Sequence, residues 1–424
     1  MRVKLVCVAR CEIALFLVSA VMLTTGCALN SGAGHVATDP IASTSTTTNL
    51  ATAKTPPPPR LADERGAKVA LLLPLSAAGQ TAAIAKGMKQ AAELALFDSG
   101  STTVQLIVKD DLGTPEGAQA AAEDAVRDGA ELIVGPLFAA SAKAVAPIAL
   151  RANIPVLAFS NDTQVAGGGV YLMSFLVTQD IDRIVAYSVS RGHKRFAALL
   201  PDDAYGRVMG DAFRKSVASH GGNVKAFETY PIQANAMLDP VRKLVEAIKR
   251  ADEDGESVDA LFVPGSADTL SSLGPLLSYA GLDPSRVKVI GTGAWDQTGV
   301  GRESSFIGGW FPAPEPHGWQ AFSEKFGRTY GSAPPRIATL SYDAMSVALQ
   351  LSSNDKGHRY TISALTRGNG FAGSDGPVRF RPDGTADRGL AILEVQKLGA
   401  TIIDPAPTNF GATPGSSPGG VKNQ

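Results

Sequence analysis

The sequence has very little cysteine: Cys7, Cys11 and Cys27 are its three cysteines, and all lie near the amino terminus. The rest of the chain has no thiol for a disulfide, a cysteine metal site or a nucleophile. Excess charge is lacking too, because 39 Lys and Arg residues stand against 40 Asp and Glu residues, a formal net charge of −1. Without a basic surplus to neutralise phosphates, nucleic acid is not an expected partner.

Motifs for catalysis and cofactor binding are also lacking. The sequence has no G-x-S-x-G elbow between a strand and a helix, no P-loop and no H-E-x-x-H zinc motif. Its five histidines are scattered without the spacing of metal ligands. Gly291-Thr292-Gly293 has the start of a dinucleotide-binding loop, but Asp296 stands where the third glycine belongs. We therefore expect no metal, no cofactor and no enzymatic activity.

The amino terminus has the composition of an export signal. Arg2, Lys4 and Arg10 form a basic segment, and residues 13–23 form an apolar run. That run is well short of the ~20 residues that span a bilayer, so residues 1–26 are predicted as a signal peptide and not as a membrane helix.

The end of this signal resembles the lipobox of bacterial lipoproteins, in which small residues precede a cysteine that is acylated. Here the residues are Leu23-Thr24-Thr25-Gly26-Cys27, with the aliphatic residue one place further from the cysteine than in the family pattern. The resemblance implies that Cys27 is lipidated and anchors the protein to a membrane. Ala28, directly after the cysteine, favours the outer membrane over the inner one. In the alternative, a conventional signal peptide is cleaved nearby and Cys27 is unmodified.

Two terminal segments are too polar to form a core. Residues 27–65 are rich in Ser, Thr and Pro, including Ser-Thr-Ser-Thr-Thr-Thr and four consecutive prolines. Such a segment buries too little apolar surface to offset its conformational entropy, so it is predicted as a disordered tether. Residues 406–424 are predicted as a disordered tail.

Between these segments, short apolar runs alternate with amphipathic stretches. Residues 68–73 read as a buried strand, and after them Ile84, Met88, Ala91 and Ala95 recur at helical spacing. Further strands are predicted at 104–108, 131–134, 155–159, 196–200, 224–230, 260–263 and 287–291, with helices between them. This alternation predicts an α/β fold with mostly parallel sheets flanked by helices.

The alternation occurs in two series, which predicts two lobes. We assign residues 66–177 to the first part of lobe one, 178–310 to the first part of lobe two, 311–375 to the second part of lobe one, and 376–405 to a carboxyl-terminal hairpin of lobe two. The strands of that hairpin are predicted at 378–381 and 390–397, joined through Asp383-Gly384.

An ordered set of segments resembles type I periplasmic binding proteins of the Leu/Ile/Val-binding group. The set consists of residues 72–80, Asp110-Asp111 with Thr114-Pro115, residues 133–137, residues 154–157, residues 202–206 and Tyr342-Asp343-Ala344. It extends from about residue 66 to about residue 400. Residues 158–162 and the expected lipid anchor are similar to the lipoprotein branch that includes penicillin-binding-protein activators.

The resemblance implies two α/β lobes joined by three crossings, with a ligand in the cleft between them. Independently, ligands of open parallel sheets gather at the carboxyl ends of the strands, where helix N-termini present unpaired N–H groups. The candidate ligand-binding residues lie in the loops that follow the strands. They are Ser76, Phe138, Ser141, Ser160, Asn161, Asp162, Tyr205, Trp295 and Asp296.

Several of these positions depart from the pattern of the amino-acid binders. The hydroxyl that the family places directly after the residue matched by Phe138 is replaced by Ala139, so Ser141 is the nearest hydroxyl. Asp162 stands where the family has a threonine, and its carboxylate would repel a ligand carboxylate unless it caps the following helix. Tyr205 matches the tyrosine that packs on the ligand.

The loop after the last parallel strand has two candidate roles. Trp295 or Asp296 is the nearest counterpart of the acidic residue that holds the ligand ammonium. Trp295 is expected either to stack on a ligand or to fill the gap between the lobes in a form that binds nothing.

Two functions follow from the resemblance. The first is a lipid-anchored periplasmic protein that captures a small polar ligand, an amino acid or a derivative, and presents it to an ABC permease. The alternative is a non-catalytic activator with a degenerate cleft that docks on and stimulates a peptidoglycan synthase. The departures at Ala139, Asn161 and Asp162 favour the second, and the overall pattern favours the first.

Overall fold

The structure is a computed structural model that describes residues 66–411 except Thr298. The predicted signal peptide, Cys27, the tether and residues 412–424 lie outside the described residues. In the described part, no helix is both long and apolar enough to cross a membrane.

The first sheet has five parallel strands in the spatial order β2-β1-β3-β4-β5. The strands are β1 (Ala67–Leu73), β2 (Val104–Asp110), β3 (Leu132–Val134), β4 (Val156–Ala158) and β5 (Val170–Leu172). Leu71 and Leu73 point to one apolar cluster and Ala70 and Leu72 to another on the opposite face. Both faces are buried because helices cover both, so the strand reads as a continuous apolar run and not as an alternating one.

The helices of the described part are α1 (Gln80–Ser99), α2 (Pro115–Arg127), α3 (Ala139–Arg151), α4 (Val177–Ser190), α5 (Ala204–Ser219), α6 (Leu238–Glu253), α7 (Ala267–Ala280), α8 (Pro316–Tyr330), α9 (Ala338–Leu351) and α10 (Ile362–Leu365). On the first sheet, α1 and α9 cover one face and α2 and α3 cover the other. Phe322 and Phe326 of α8 pack on α1. We call this sheet with its helices lobe one.

The second sheet has seven strands in the order β14-β13-β10-β9-β8-β6-β7. Its strands are β6 (Arg195–Pro201), β7 (Asn223–Tyr230), β8 (Ala260–Phe262), β9 (Lys288–Ile290), β10 (Trp310–Ala313), β13 (Ala391–Val395) and β14 (Ala400–Asp404). Strands β6 to β10 pair in parallel, whereas β13 and β14 pair antiparallel. Helices α6 and α7 cover one face and α4 and α5 the other. We call this unit lobe two.

The two remaining strands correct the predicted carboxyl-terminal hairpin. Strand β11 (Val378–Phe380) pairs with β12 (Ala386–Arg388), and Asp383-Gly384 forms the turn between them. The predicted pairing of 378–381 with 390–397 is therefore wrong. Val378 and Phe380 are buried in the core of lobe one, whereas β13 pairs with β10 and β14 in lobe two. The predicted turn is present, but it joins β11 to the short strand β12 and not to β13.

The chain passes between the lobes after β5, after β10 and after β12. These passages place the start of α4, the residues after β10 and Leu390 next to each other. The predicted α/β fold of two lobes with mostly parallel sheets flanked by helices is confirmed.

Residues 406–411, predicted as part of a disordered tail, pack against the folded chain. The N–H of Ala406 donates to Glu315 Oε1 at 2.9 Å. The guanidinium carbon of Arg379 lies 4.6 Å from the centre of the Phe410 ring. These contacts extend the ordered chain beyond the last strand.

Candidate functional site

A cavity of about 770 Å³ lies between the lobes. Lobe one contributes residues 161–164, from the loop after β4, and lobe two contributes Tyr205 and Val208 of α5 together with the loop after β9. The segments that join the lobes also line the cavity, through Phe175, Pro314 and Leu390, and Pro312 of β10 lies among them. The cavity thus lies at the carboxyl ends of parallel strands, where loops and helix starts converge.

Four of the nine predicted ligand-binding residues line this cavity: Asn161, Asp162, Tyr205 and Asp296. Asp162 caps the 3-10 turn Thr163–Val165, because its Oδ1 accepts a hydrogen bond from the N–H of Gln164 at 2.9 Å. The capping arrangement considered from the sequence is therefore present, and the carboxylate still lines the cavity.

Trp295 does not line the cavity. Its side chain is only 1% exposed, and its Nε1 donates to the carbonyl of Val263 at 3.0 Å. The ring packs on Phe306, with ring centres 5.2 Å apart, and lies against the backbone of Gly291. Trp295 therefore neither stacks on a ligand nor fills the gap between the lobes; the core of lobe two holds it because the missing Cβ of Gly291 leaves room for the indole.

The other four predicted residues lie near the carboxyl ends of the lobe-one strands but outside the cavity. Ser141 is buried, with its hydroxyl 3.4 Å from the carbonyl of Thr114. Ser160 Oγ accepts from the N–H of Asp162 at 3.1 Å, and the Ser76 hydroxyl donates to Asp110. Phe138 precedes α3 and is partly exposed. These hydroxyls hold loops in place and do not face the cavity.

Asp180, in the first turn of α4, lines the cavity and was not predicted. Its Oδ2 accepts a hydrogen bond from the backbone N–H of Gly293 at 2.9 Å, which ties α4 to the loop after β9. Burial raises the pKa of Asp180 to about 7. An acidic residue in the first turn of a helix is a recognisable signal, but it indicates helix stabilisation just as well as a site.

Arg336, just before α9, also lines the cavity and was not predicted. It forms two hydrogen bonds to the buried carboxylate of Asp375, at 2.7 and 3.0 Å. Its guanidinium carbon lies 5.3 Å from the ring centre of Phe175 and 4.8 Å from that of Trp319. No local sequence pattern indicates this arrangement, because its partners come from distant segments.

The electrostatic character of the cavity is acidic. The carboxylates of Asp162, Asp180 and Asp296 line it, and among its described residues Arg336 provides the one basic side chain. Burial raises the pKa of Asp296, an effect that the nearby Arg336 opposes. Burial likewise raises the pKa of the Tyr205 hydroxyl, with smaller contributions from Asp180 and Asp203.

Two α/β lobes, three connections and a cavity at the carboxyl ends of both sheets define a two-lobed ligand-binding protein. The profile of the periplasmic binding protein family matches residues 66–400, and this chain belongs to that family. The expected resemblance to the Leu/Ile/Val-binding type is confirmed. Membership of the family implies a periplasmic location.

Solved structures of similar fold agree with this family. A putative branched-chain amino acid ABC transporter protein from Rhodospirillum rubrum has a TM-score of 0.68 at 19% identity, covering 80% of this chain and 100% of its own. A solute-binding protein from Rhodopseudomonas palustris BisB5, in complex with 3,4-dihydroxybenzoic acid, has a TM-score of 0.53 at 22% identity, covering 82% and 98%. A branched-chain amino acid transporter substrate-binding protein from Streptococcus pneumoniae, in complex with isoleucine, has a TM-score of 0.53 at 17% identity, covering 80% and 100%. No curated protein matches this chain in sequence.

Proposed function

We propose that this protein is a periplasmic solute-binding protein that holds a small polar ligand between its lobes and presents it to an ABC importer. The main support is the cavity of about 770 Å³, to which both lobes contribute polar side chains. Its volume lies in the range of small-molecule sites, about 300–1,000 Å³, and such sites combine apolar walls with a few polar groups. The names of the similar solved structures, which are transporter-associated binding proteins, support the same function.

The proposed function is non-catalytic. The titratable groups of the cavity are Asp162, Asp180, Asp296, Tyr205 and Arg336. Asp162 and Asp180 each accept a hydrogen bond from a backbone N–H, and Arg336 is paired with Asp375, so these groups shape and charge the cavity. Closure of the lobes over a ligand is the conformational change that a permease would read.

We also propose that Cys27 is acylated and that the protein is anchored to the outer membrane. The support is the sequence Leu23-Thr24-Thr25-Gly26-Cys27-Ala28 and the long polar segment that follows. Mass spectrometry of the full-length protein, purified from membranes, should show a mature chain that begins at lipid-modified Cys27. Cys27→Ser should abolish the modification, and an unmodified cysteine in the wild-type protein would contradict the anchor.

The alternative function, activation of a peptidoglycan synthase, has one supporting observation outside the cleft. Leu398, in the turn between β13 and β14, is 97% exposed, and Ile402 on the edge strand β14 is 39% exposed. Exposed apolar side chains of this kind suit a docking surface. Under this alternative, Leu398→Ser should lower activation of the synthase in a reconstituted assay, and Tyr205→Ala should not.

The test of ligand binding is a thermal-shift screen of the purified full-length protein against amino acids, amines, aromatic acids and cell-wall fragments. A ligand at 100 times its Kd stabilises the native state by about 2.7 kcal/mol, which raises Tm by several degrees. The shift should disappear in Tyr205→Ala/Asp296→Ala, which removes two cavity side chains. It should persist in the control Tyr279→Ala/Asp239→Ala, whose residues lie outside the cavity and are exposed.

If the ligand still raises the Tm of Tyr205→Ala/Asp296→Ala, it binds outside the cavity. The absence of any shift, with native mass spectrometry showing no molecule already bound, would contradict the solute-binding function and favour the synthase activator.

A further inference from the structure

Three backbone N–H groups beside the cavity are already bonded to aspartates of this chain. Asp162 accepts from Gln164 at 2.9 Å, and Asp180 accepts from Gly293 at 2.9 Å. Asp203, the N-cap of α5, accepts a hydrogen bond from the N–H of Gly206 at 2.6 Å. Gly206 lies in the sequence between Tyr205 and Val208, which line the cavity. These N–H groups belong to helix or 3-10 starts in both lobes.

A free backbone N–H is a natural partner of a ligand carboxylate, above all at the start of a long helix such as α5. Here the chain's own carboxylates occupy these N–H groups. At these three positions a ligand carboxylate would have to displace an aspartate from its hydrogen bond. The start of α4 also lines the cavity, and its N-cap Leu176 makes no side-chain cap, but Asp180 in its first turn places a carboxylate beside those N–H groups.

The basic side chain of the cavity is committed as well. Arg336 donates two hydrogen bonds to Asp375, whose side chain is fully buried, and one to the hydroxyl of Thr339 at 3.3 Å. Its flat faces lie near Phe175 and Trp319. A guanidinium paired in this way offers little net positive charge to a ligand. The cavity therefore presents carboxylate oxygens, and the described residues that line it include no basic side chain free of a partner.

The remainder of the lining is largely apolar. Phe175, Val208, Ile337 and Leu390 face the cavity together with the ring of Tyr205. A ligand that fits this surface has a hydrocarbon or aromatic body.

Resting on the proposed function, we propose that the ligand is a small organic cation, a primary amine on an apolar skeleton that lacks a carboxylate. Asp180 and Asp296, both of lobe two, receive the ammonium, and the apolar surface receives the skeleton. Tyr205 adds an aromatic ring beside Asp180, which also favours a cation.

The test compares matched pairs of probes by isothermal titration calorimetry on the purified full-length protein. The first pair is isoleucinamide with isoleucine, in which an amide replaces the carboxylate and the ammonium group is kept. The second pair is phenethylamine with 3-phenylpropionate, in which an ammonium group replaces the carboxylate. The amine or amide of each pair should bind at least about tenfold more tightly than its carboxylate partner, because repulsion by a cavity aspartate or loss of its hydrogen bond costs at least one charged interaction. Equal or tighter binding of the carboxylates would overturn the amine class and leave the proposed function standing.

Asp180→Asn tests the assignment of the ammonium site when affinity is measured at pH 8, above the pKa of Asp180 of about 7, where the aspartate is mostly ionised. The asparagine Oδ1 still accepts from the N–H of Gly293, while the charge is lost. Phenethylamine affinity should fall at least about tenfold. The matched control is Asp182→Asn on the same helix, whose side chain is 62% exposed and lies outside the cavity. If Asp180→Asn unfolds the protein, as circular dichroism would show, Asp296→Asn makes the same test.

Unchanged amine affinity in Asp180→Asn and Asp296→Asn would overturn the proposal. If neither member of either pair binds, the amine class is overturned, and the thermal-shift screen decides separately whether the protein binds solutes at all.

Discussion

Arg388 and Asp343 face each other in the interior, with Arg388 Nη1 3.7 Å from Asp343 Oδ2 and the two side chains 1% and 0% exposed. Asp343 belongs to α9, and its Oδ1 also accepts from the N–H and the hydroxyl of Ser374. Arg388 ends β12, just before the third crossing, and its Nε donates to the carbonyl of Ser174 beside the first crossing at 3.1 Å. The pair therefore joins α9 to two of the segments that connect the lobes.

Removing one member of this pair should destabilise the fold strongly. Arg388→Met leaves Asp343 as a buried carboxylate without its cation, and the free energy of unfolding should fall by about 3–5 kcal/mol at pH 8. Burial raises the pKa of Asp343 to about 6, so at pH 5 the carboxyl is largely protonated and the loss should be smaller. Urea unfolding at the two pH values measures both.

The double variant Arg388→Met/Asp343→Asn is the control, because it removes both charges and keeps an acceptor for the N–H of Ser374. It should be less destabilised than Arg388→Met alone. An equal or greater loss would show that the ion pair does not account for the effect.

Asp180 should make the fold less stable as pH rises. Its pKa is about 7 in the fold against 3.8 for an ordinary aspartate, so between these values the folded chain binds more protons than the unfolded chain. The free energy of unfolding of the wild type, relative to Asp180→Asn, should therefore decrease from about pH 4 to about pH 7 and level off above. Chemical unfolding of the two proteins across this range measures the difference, in which contributions of other groups cancel.

A flat difference between the wild type and Asp180→Asn would contradict the raised pKa of Asp180.

Trp295→Ala should act on stability and not on ligand contact. The indole is fully buried in lobe two, and its removal leaves a large apolar void, which costs about 3–5 kcal/mol. Trp310, which is partly exposed on β10, should cost less when changed to alanine. Urea unfolding measures the decrease in the free energy of unfolding of each variant. The ligand affinity of Trp295→Ala, measured below its melting transition, should stay close to that of the wild type. A ligand affinity lost without a change in stability would place Trp295 at the ligand after all.

Asp162→Thr should shift the cavity toward carboxylate ligands. A threonine hydroxyl can still accept from the N–H of Gln164, while the negative charge is removed. The affinity of 3-phenylpropionate relative to phenethylamine should increase several-fold, since one like-charge repulsion is gone. Asp283→Thr is the control, because Asp283 Oδ1 accepts from the N–H two residues ahead in the same way, at 2.9 Å, but outside the cavity. An equal shift in the control variant would contradict the role of Asp162.

Local pattern was sufficient for much of the fold. The strands predicted at 68–73 and 104–108 correspond to β1 and β2, and the helical spacing of Ile84, Met88 and Ala95 lies within α1. A parallel strand that is buried on both faces appears in the sequence as a continuous apolar run. This pattern can be recognised before it is known which strands pair. The pairing of β11 with β12 could not be read in this way, because a turn signal does not state which later strand is its partner.

Local sequence pattern was enough to predict the alternation of strands and helices, the family, and the segments after the strands from which Asn161, Asp162, Tyr205 and Asp296 reach the cavity. The positions of Trp295 in the core of lobe two and of Arg336 against Asp375 became visible in the folded structure alone. The same holds for the contact of Asp180 with the loop after β9. The physical reason is that helix and strand periodicity depends on neighbours within a few residues, whereas burial, charge pairing and the direction of a side chain depend on segments that meet only when the two lobes have formed.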